Sequence, residues 1–108
     1  MRFRQGDCTN ALAGEGPFDV IVMSEILWYV LAQIDQLLQQ IAALLTNDGV
    51  CAVRQYFPDQ QMFAKSDCDG IIGFLEIIQR SPLVLVERTE FVQPQSCDRV
   101  LVALLAKT

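Results

Sequence analysis

Histidine is absent from all 108 residues of the chain. That excludes Ser–His and Cys–His dyads, histidine-ligated zinc and any imidazole general base, and most hydrolase chemistries go with them. Basic residues are few. Eight Lys and Arg against 13 Asp and Glu give a net charge of −5, which argues against nucleic acid as a partner, because a sequence-independent grip needs a Lys/Arg footprint. No apolar run approaches the roughly 20 residues that cross a bilayer, and the greasiest stretch, residues 20–32, contains Ser24 and Glu25. The first seven residues carry charge with no apolar segment behind them, so no signal peptide is legible and a cytoplasmic chain without a membrane partner is expected. None of the four cysteines, Cys8, Cys51, Cys68 and Cys97, stands in C-x-x-C spacing. Reduced thiols behaving as small hydrophobes are expected, with no metal site.

What the sequence does hold is apolar mass. At 52% apolar residues in 108, the chain reads as one packed domain, 1–108. A short strand is expected over residues 2–5. A second spans residues 18–23, whose consecutive apolar residues 20–23 predict burial on both faces, as in a parallel sheet. Ile34, Leu37, Leu38, Ile41, Leu44 and Leu45 repeat at helical spacing, and Asn47-Asp48-Gly49 predicts the end of that helix, with Gly49 as a left-handed cap. A strand over residues 50–56, a solvated loop over 57–69 and a helix over 71–78 follow. Residues 83–92 and 99–106, joined by a short polar connection, predict an antiparallel hairpin. Asp67-Cys68-Asp69 offers too few ligands for a calcium loop and reads as loop and helix start.

The stretch Phe18-Asp19-Val20-Ile21-Val22-Met23-Ser24-Glu25-Ile26-Leu27 resembles the fourth strand and following loop of class I S-adenosylmethionine-dependent methyltransferases. The helix behind it, the turn Leu45-Thr46-Asn47-Asp48-Gly49-Val50, the Gly6-Asp7-Cys8 element and the closing hairpin follow the same order. The resemblance implies a partial Rossmann-like α/β sheet, mostly parallel with an antiparallel C-terminal hairpin and helices on its faces. It implies S-adenosylmethionine as cofactor and methyl transfer to an acceptor that these residues do not specify. The family's glycine-rich turn after a first strand is missing, and Gly14-Glu15-Gly16 precedes a strand and does not replace it. The expectation is therefore a truncated domain, a methyltransferase in its full-length form and weak or inactive as this fragment.

By that resemblance, Asp7 and the Cys8 amide would meet the adenine, and Ser24 and Glu25 would sit beside the cofactor at the carboxyl end of a strand. The plainer readings are a turn aspartate at Asp7, and a helix cap at Ser24 with Glu25 in the first turn. Trp28 and Tyr29 are either acceptor-pocket walls or core, and Gln55 and Tyr56 share the ligand-side rim of the next strand. Direct displacement of a methyl group rests on alignment more than on a strong base, so the missing histidine does not exclude it. If the strand over residues 18–23 has lost its neighbours, each uncovered apolar side chain costs about 1.5–3 kcal/mol. Homodimerisation through that edge, completion of the sheet by another chain, or residues 2–5 folding across it would relieve that cost. A non-catalytic interaction module is the alternative function, and a fragment of another Rossmann-like enzyme would need a glycine fingerprint upstream.

Overall fold

The computed structural model describes residues 16–107, so the expected strand over residues 2–5 and the sites at Asp7 and Cys8 lie outside the described residues. Strand β1 (Phe18–Ser24) leads through a single-turn α1 (Leu27–Val30) and a 3-10 turn (Leu31–Gln33) into α2 (Ile34–Leu44). Strand β2 (Leu45–Phe57), α3 (Gly70–Gln79), β3 (Leu83–Val92) and β4 (Arg99–Lys107) complete the chain. The four strands form one sheet in the order β1-β2-β4-β3. β1 runs parallel to β2, while β2–β4 and β3–β4 are antiparallel. The sheet is thus mixed. Among the described residues its parallel part is the β1–β2 pair, and the C-terminal hairpin is antiparallel as expected.

The helices form for the reason the periodicity gives. Ile34, Leu37, Leu38, Ile41 and Ala42 are the buried face of α2, while Gly73, Phe74, Ile77 and Ile78 are that of α3. Arg80 grips Asp35 with two hydrogen bonds of 2.8 and 3.2 Å, tying the end of α3 to the start of α2. Both helices cover one face of the sheet. Met23, Cys51, Val53, Phe57, Leu101, Ala103 and Leu105 point into that core, and their alternate neighbours do not.

The other face corrects one expectation. Residues 20–23 are not buried on both sides: Met23 is buried and Ile21 partly so, but Val20 is 58% and Val22 65% exposed. The cause is geometric, since alternate strand residues face opposite ways and no described helix lies on the second face. Across that face the register lines up Val20, Val50, Ala106 and Val84 in one row, and Val22, Ala52, Leu104 and Glu87 in the next.

The junction of α2 and β2 corrects another. Gly49 is not a helix cap: α2 stops at Leu44, Leu45 is already extended (φ −78°, ψ 143°), and Gly49 lies inside β2 without a left-handed backbone. The pairing with β1 skips from Phe18–Leu45 to Val20–Val50, so the extra β2 residues bulge over the start of β1. There a Cβ on Gly49 would stand 3.0 Å from the Phe18 carbonyl oxygen and 3.1 Å from that of Asp19. Close backbone approach, not positive φ, requires the glycine. The Thr46 hydroxyl donates to Asp19 (3.0 Å) and the Lys107 ammonium to the Leu45 carbonyl (3.0 Å), closing the junction from both sides.

The loop after β2 is less solvated than its composition suggests. Gln61 is buried; its amide nitrogen donates to the carbonyls of Phe63 (2.6 Å) and Cys68 (2.7 Å), and its oxygen accepts the Gly70 amide (2.9 Å). Cys68 is buried beneath it, and no cluster of metal-ligating side chains occurs among the described residues. Cys51, Cys68 and Cys97 are free thiols, Cys97 exposed. No helix among the described residues is long and apolar enough to cross a membrane.

Two outcomes follow from this packing. Gly49→Ala should lower unfolding stability by about 1–3 kcal/mol in urea melts, because backbone oxygens cannot yield as side chains do. Burial pushes the Cys51 and Cys68 thiols up from 9.0 to about 11. In the unfolded chain they ionise near 9.0, so their contribution is fully present below that pH and is lost between about 9 and about 11. Denaturant melts should show the loss in that window, reduced by Cys51→Ala relative to the native chain.

Candidate functional site

The parallel pairing of β1 and β2 carries both carboxyl ends to one edge of the domain, with Ser24 opposite Arg54. Open α/β sheets bind ligands at such strand ends. Directly after β1 the chain turns at Glu25, whose φ of 58° is a conformation that L-residues seldom adopt. That turn keeps the Glu25 amide in the ladder, donating to the Arg54 carbonyl at 2.8 Å. It also swings the carboxylate back over β2. One oxygen accepts the Arg54 guanidinium, and the other accepts the Tyr56 amide at 3.1 Å and, more loosely, the Gln55 side-chain amide at 3.5 Å. Glu25 therefore acts as a clamp across the two strand ends, and its partners account for both oxygens.

Gln55 is buried beneath this clamp. Its oxygen accepts the Leu27 amide at 3.0 Å, and its nitrogen donates to the Tyr56 carbonyl at 3.2 Å. Short helices leave their first amides without internal partners, and Gln55 supplies one for α1 from the neighbouring strand. Ser24 is not the cap: Ile26 holds that position, with no side-chain cap bond. Ser24 lies exposed at the end of β1.

The Tyr56 phenol donates to one oxygen of Asp98, while the other oxygen of Asp98 accepts the Asp59 amide at 2.7 Å. Asp98 thus pins the β3–β4 connection to the chain leaving β2. The shared hydrogen bond holds the Tyr56 hydroxyl above its ordinary pKa and Asp98 below its own, so at neutral pH the phenol is a donor and not a base.

The two aromatic candidates part company, as neighbours about 100° apart on a helix do. Trp28 packs edge-on against Phe57 (5.5 Å) and Phe63 (5.0 Å), whereas Tyr29 is 87% exposed and is not part of the core. A groove of about 390 Å³ opens past the end of β2, with Phe57, Pro58, Ile71, Leu75, Arg88 and Arg99 among its lining residues. Trp28, Tyr29, Gln55 and Tyr56 do not line it. The structure thus gathers Ser24, Glu25, Gln55 and Tyr56 at one edge, with Tyr29 exposed on α1. Arg54 and Asp98, which complete the arrangement, carry no local sequence signal; only the strand register reveals them.

No family model matches the sequence, and no curated protein matches it. Solved structures do. The chain superposes on a SAM-dependent methyltransferase from Leishmania major with a TM-score of 0.70 at 16% identity, covering 92% of this chain and 43% of that one. The chain has a methyltransferase-like fold. The N-methyltransferase NodS from Bradyrhizobium japonicum, in complex with S-adenosyl-L-homocysteine, matches at a TM-score of 0.69 and 19% identity, over 94% of this chain and 52% of NodS. A TehB-like SAM-dependent methyltransferase from Corynebacterium glutamicum matches at 0.62 and 26% identity, over 95% and 54%. The chain spans about half the length of the solved structures it matches.

Whether the described residues would cradle such a cofactor is a question of free donors and acceptors. The Glu25 carboxylate is occupied, Gln55 is satisfied on both atoms, and the one buried side-chain atom among the described residues without a partner is Gln40 Oε1, on α2. Among the described residues at the strand ends, Ser24 and the remaining N–H groups of Arg54 are the uncommitted side-chain groups. These residues brace a site edge; they do not form a cradle.

The clamp and the buried amide should respond differently. Gln55→Leu strands the Leu27 amide in a buried setting and should cost about 1–3 kcal/mol in urea melts. Losing the half-exposed Glu25–Arg54 pair in Glu25→Ala should cost less, about 0–1 kcal/mol. The reverse order would mean that the clamp, and not the amide, holds α1.

Proposed function

We propose that this chain is the acceptor-side half of a methyltransferase-type domain, and that in its full-length form the domain transfers a methyl group from S-adenosylmethionine to an acceptor. The observation that carries the reading is the sheet: four strands in the order β1-β2-β4-β3, with the parallel pair presenting Ser24 and Glu25 beside Gln55 and Tyr56, on a fold that solved methyltransferases share over most of this chain. In this reading Ser24 and Glu25, with Asp7 and Cys8 outside the described residues, lie on the cofactor side. Trp28, Gln55 and Tyr56 stiffen the acceptor side. Because the described residues brace and do not cradle, the chain alone binds cofactor weakly and turns over little.

A second reading is favoured by one specific observation. Val20 and Val22 stand exposed on β1, an edge strand among the described residues, which suits a non-catalytic module that dimerises or completes another chain's sheet.

Amide chemical shifts under titration with S-adenosylhomocysteine test the first reading. Millimolar ligand should move the signals of residues 24–25 and 7–8 while leaving β3 still. No movement, or movement confined to α3 and β3, would overturn it; saturation at about 1–10 μM would show that the chain holds the cofactor unaided.

A further inference from the structure

The helix face of β3 changes character at its bulge. Leu83 and Leu85 stand on that face at the start of the strand, and past the register shift between Leu85 and Glu87 their places are taken by Arg88 and Glu90. The rows that these two charges complete are otherwise core. Arg88 lies opposite Ala103 and one strand further from Val53, and Glu90 opposite Leu101 and one strand further from Gln55. All four of those neighbours are buried. α3 flanks the charges with Ile71, Ile72 and Leu75, which lie off its buried stripe. A charged floor thus meets an apolar wall in the groove of about 390 Å³, a volume within the roughly 300–1,000 Å³ of small-molecule sites. Its lining runs from Phe57 to Arg99, and its floor belongs to β3 and β4, on the side of the sheet away from β1.

The charges in the groove are only partly paired with one another. Arg99 donates to Glu90 at 3.1 Å. Among the described residues the Arg88 guanidinium has no hydrogen-bond or ion-pair partner, and it is a fork of five donors. Two lining carboxylates are free in the same sense. Asp59 uses its main-chain amide, donating to Asp98, and Asp69 precedes α3 without a side-chain capping bond. One free cation, two free carboxylates and an apolar wall therefore share one concave surface.

We propose that this groove binds an amino acid with an apolar side chain, as the zwitterion. The planar fork of Arg88 takes the carboxylate through paired N–H···O bonds, which are charge-assisted and geometrically selective. Asp59 and Asp69 attract the ammonium, and the side chain lies on Ile71 and Leu75. A plain carboxylic acid would face the two aspartates with nothing to offer them, and a plain amine would leave Arg88 opposing it, so each single-charge ligand is disfavoured by one part of the site. A ligand with a polar body, S-adenosylhomocysteine included, finds no match on the apolar wall. The inference goes beyond the methyl-transfer reading and is independent of it, because Ser24, Glu25, Gln55 and Tyr56 do not line the groove.

Amide chemical shifts of the chain, titrated at neutral pH with phenylalanine, 3-phenylpropionate and phenethylamine, test the proposal. Phenylalanine should move the signals of residues 70–75 and 88–99 with a dissociation constant of about 1 mM, leaving residues 24–25 still. 3-Phenylpropionate, which lacks the ammonium, and phenethylamine, which lacks the carboxylate, should each bind about fivefold more weakly or worse. Arg88→Gln, at an exposed strand position, should weaken phenylalanine about fivefold or more without weakening phenethylamine. Asp59→Asn should weaken phenylalanine without weakening 3-phenylpropionate. Groove signals that stay still, binding that Arg88→Gln leaves unaltered, or a single-charge analogue that binds as tightly as phenylalanine would overturn the proposal, whatever the S-adenosylhomocysteine titration shows.

Discussion

The parallel pairing of β1 with β2 is the constraint from which the rest of the structure takes its position. It aligns two carboxyl ends, so that a carboxylate just past one strand reaches the guanidinium and amides of the other. An antiparallel neighbour would have placed Glu25 against the start of β2, where Thr46 and Gly49 crowd the backbone. The left-handed turn at Glu25 is tolerated because that residue's amide and both carboxylate oxygens are occupied in this arrangement. Strain of about 1–3 kcal/mol at such a residue persists only when its surroundings over-determine it.

Energetically the domain is one-sided. The helix face of the sheet collects nearly every buried large side chain, from Met23 across Cys51 and Val53 to Leu101 and Leu105. Each fully buried Leu, Ile or Phe contributes about 1.5–3 kcal/mol, and α2 and α3 bring half of them. On the opposite face, valines of the same chemical type contribute little, because water still reaches them. Sequence composition counts both sets equally; only the second layer distinguishes them.

That distinction explains what could and could not be read from the sequence. The α2 stripe was legible because a 3.6-residue period needs one covered side and no knowledge of what covers it. The hairpin was legible for a similar local reason, two β-rich runs around a short polar connection. Residues 20–23 were legible as strand, but a run of consecutive apolar residues says nothing about which layers are present. Gly49 misled because its residue type signals conformational freedom, while the chain uses its missing Cβ for close approach to Phe18 and Asp19. Gln55 and Gln61 looked like a ligand-side rim and a solvated loop. Both are buried amides satisfying backbone groups. The Gln55 partner lies 28 residues away, and no local window contains it.

The braced site edge and the uncovered face meet at Arg54. Its register places it between Ser24 and Val102 on the open face, one row beyond Val22 and Ala52, while its guanidinium is held by Glu25. Anything that covers the valine rows and extends one row further must also dehydrate that ion pair. Removing two charges from water costs several kcal/mol per ion unless further hydrogen bonds replace the lost solvent. The apolar surface therefore has a defined limit: a cover is favourable up to the Val22–Ala52–Leu104 row and unfavourable beyond it. The same pair that ties the two strand ends together also marks where an apolar cover has to stop.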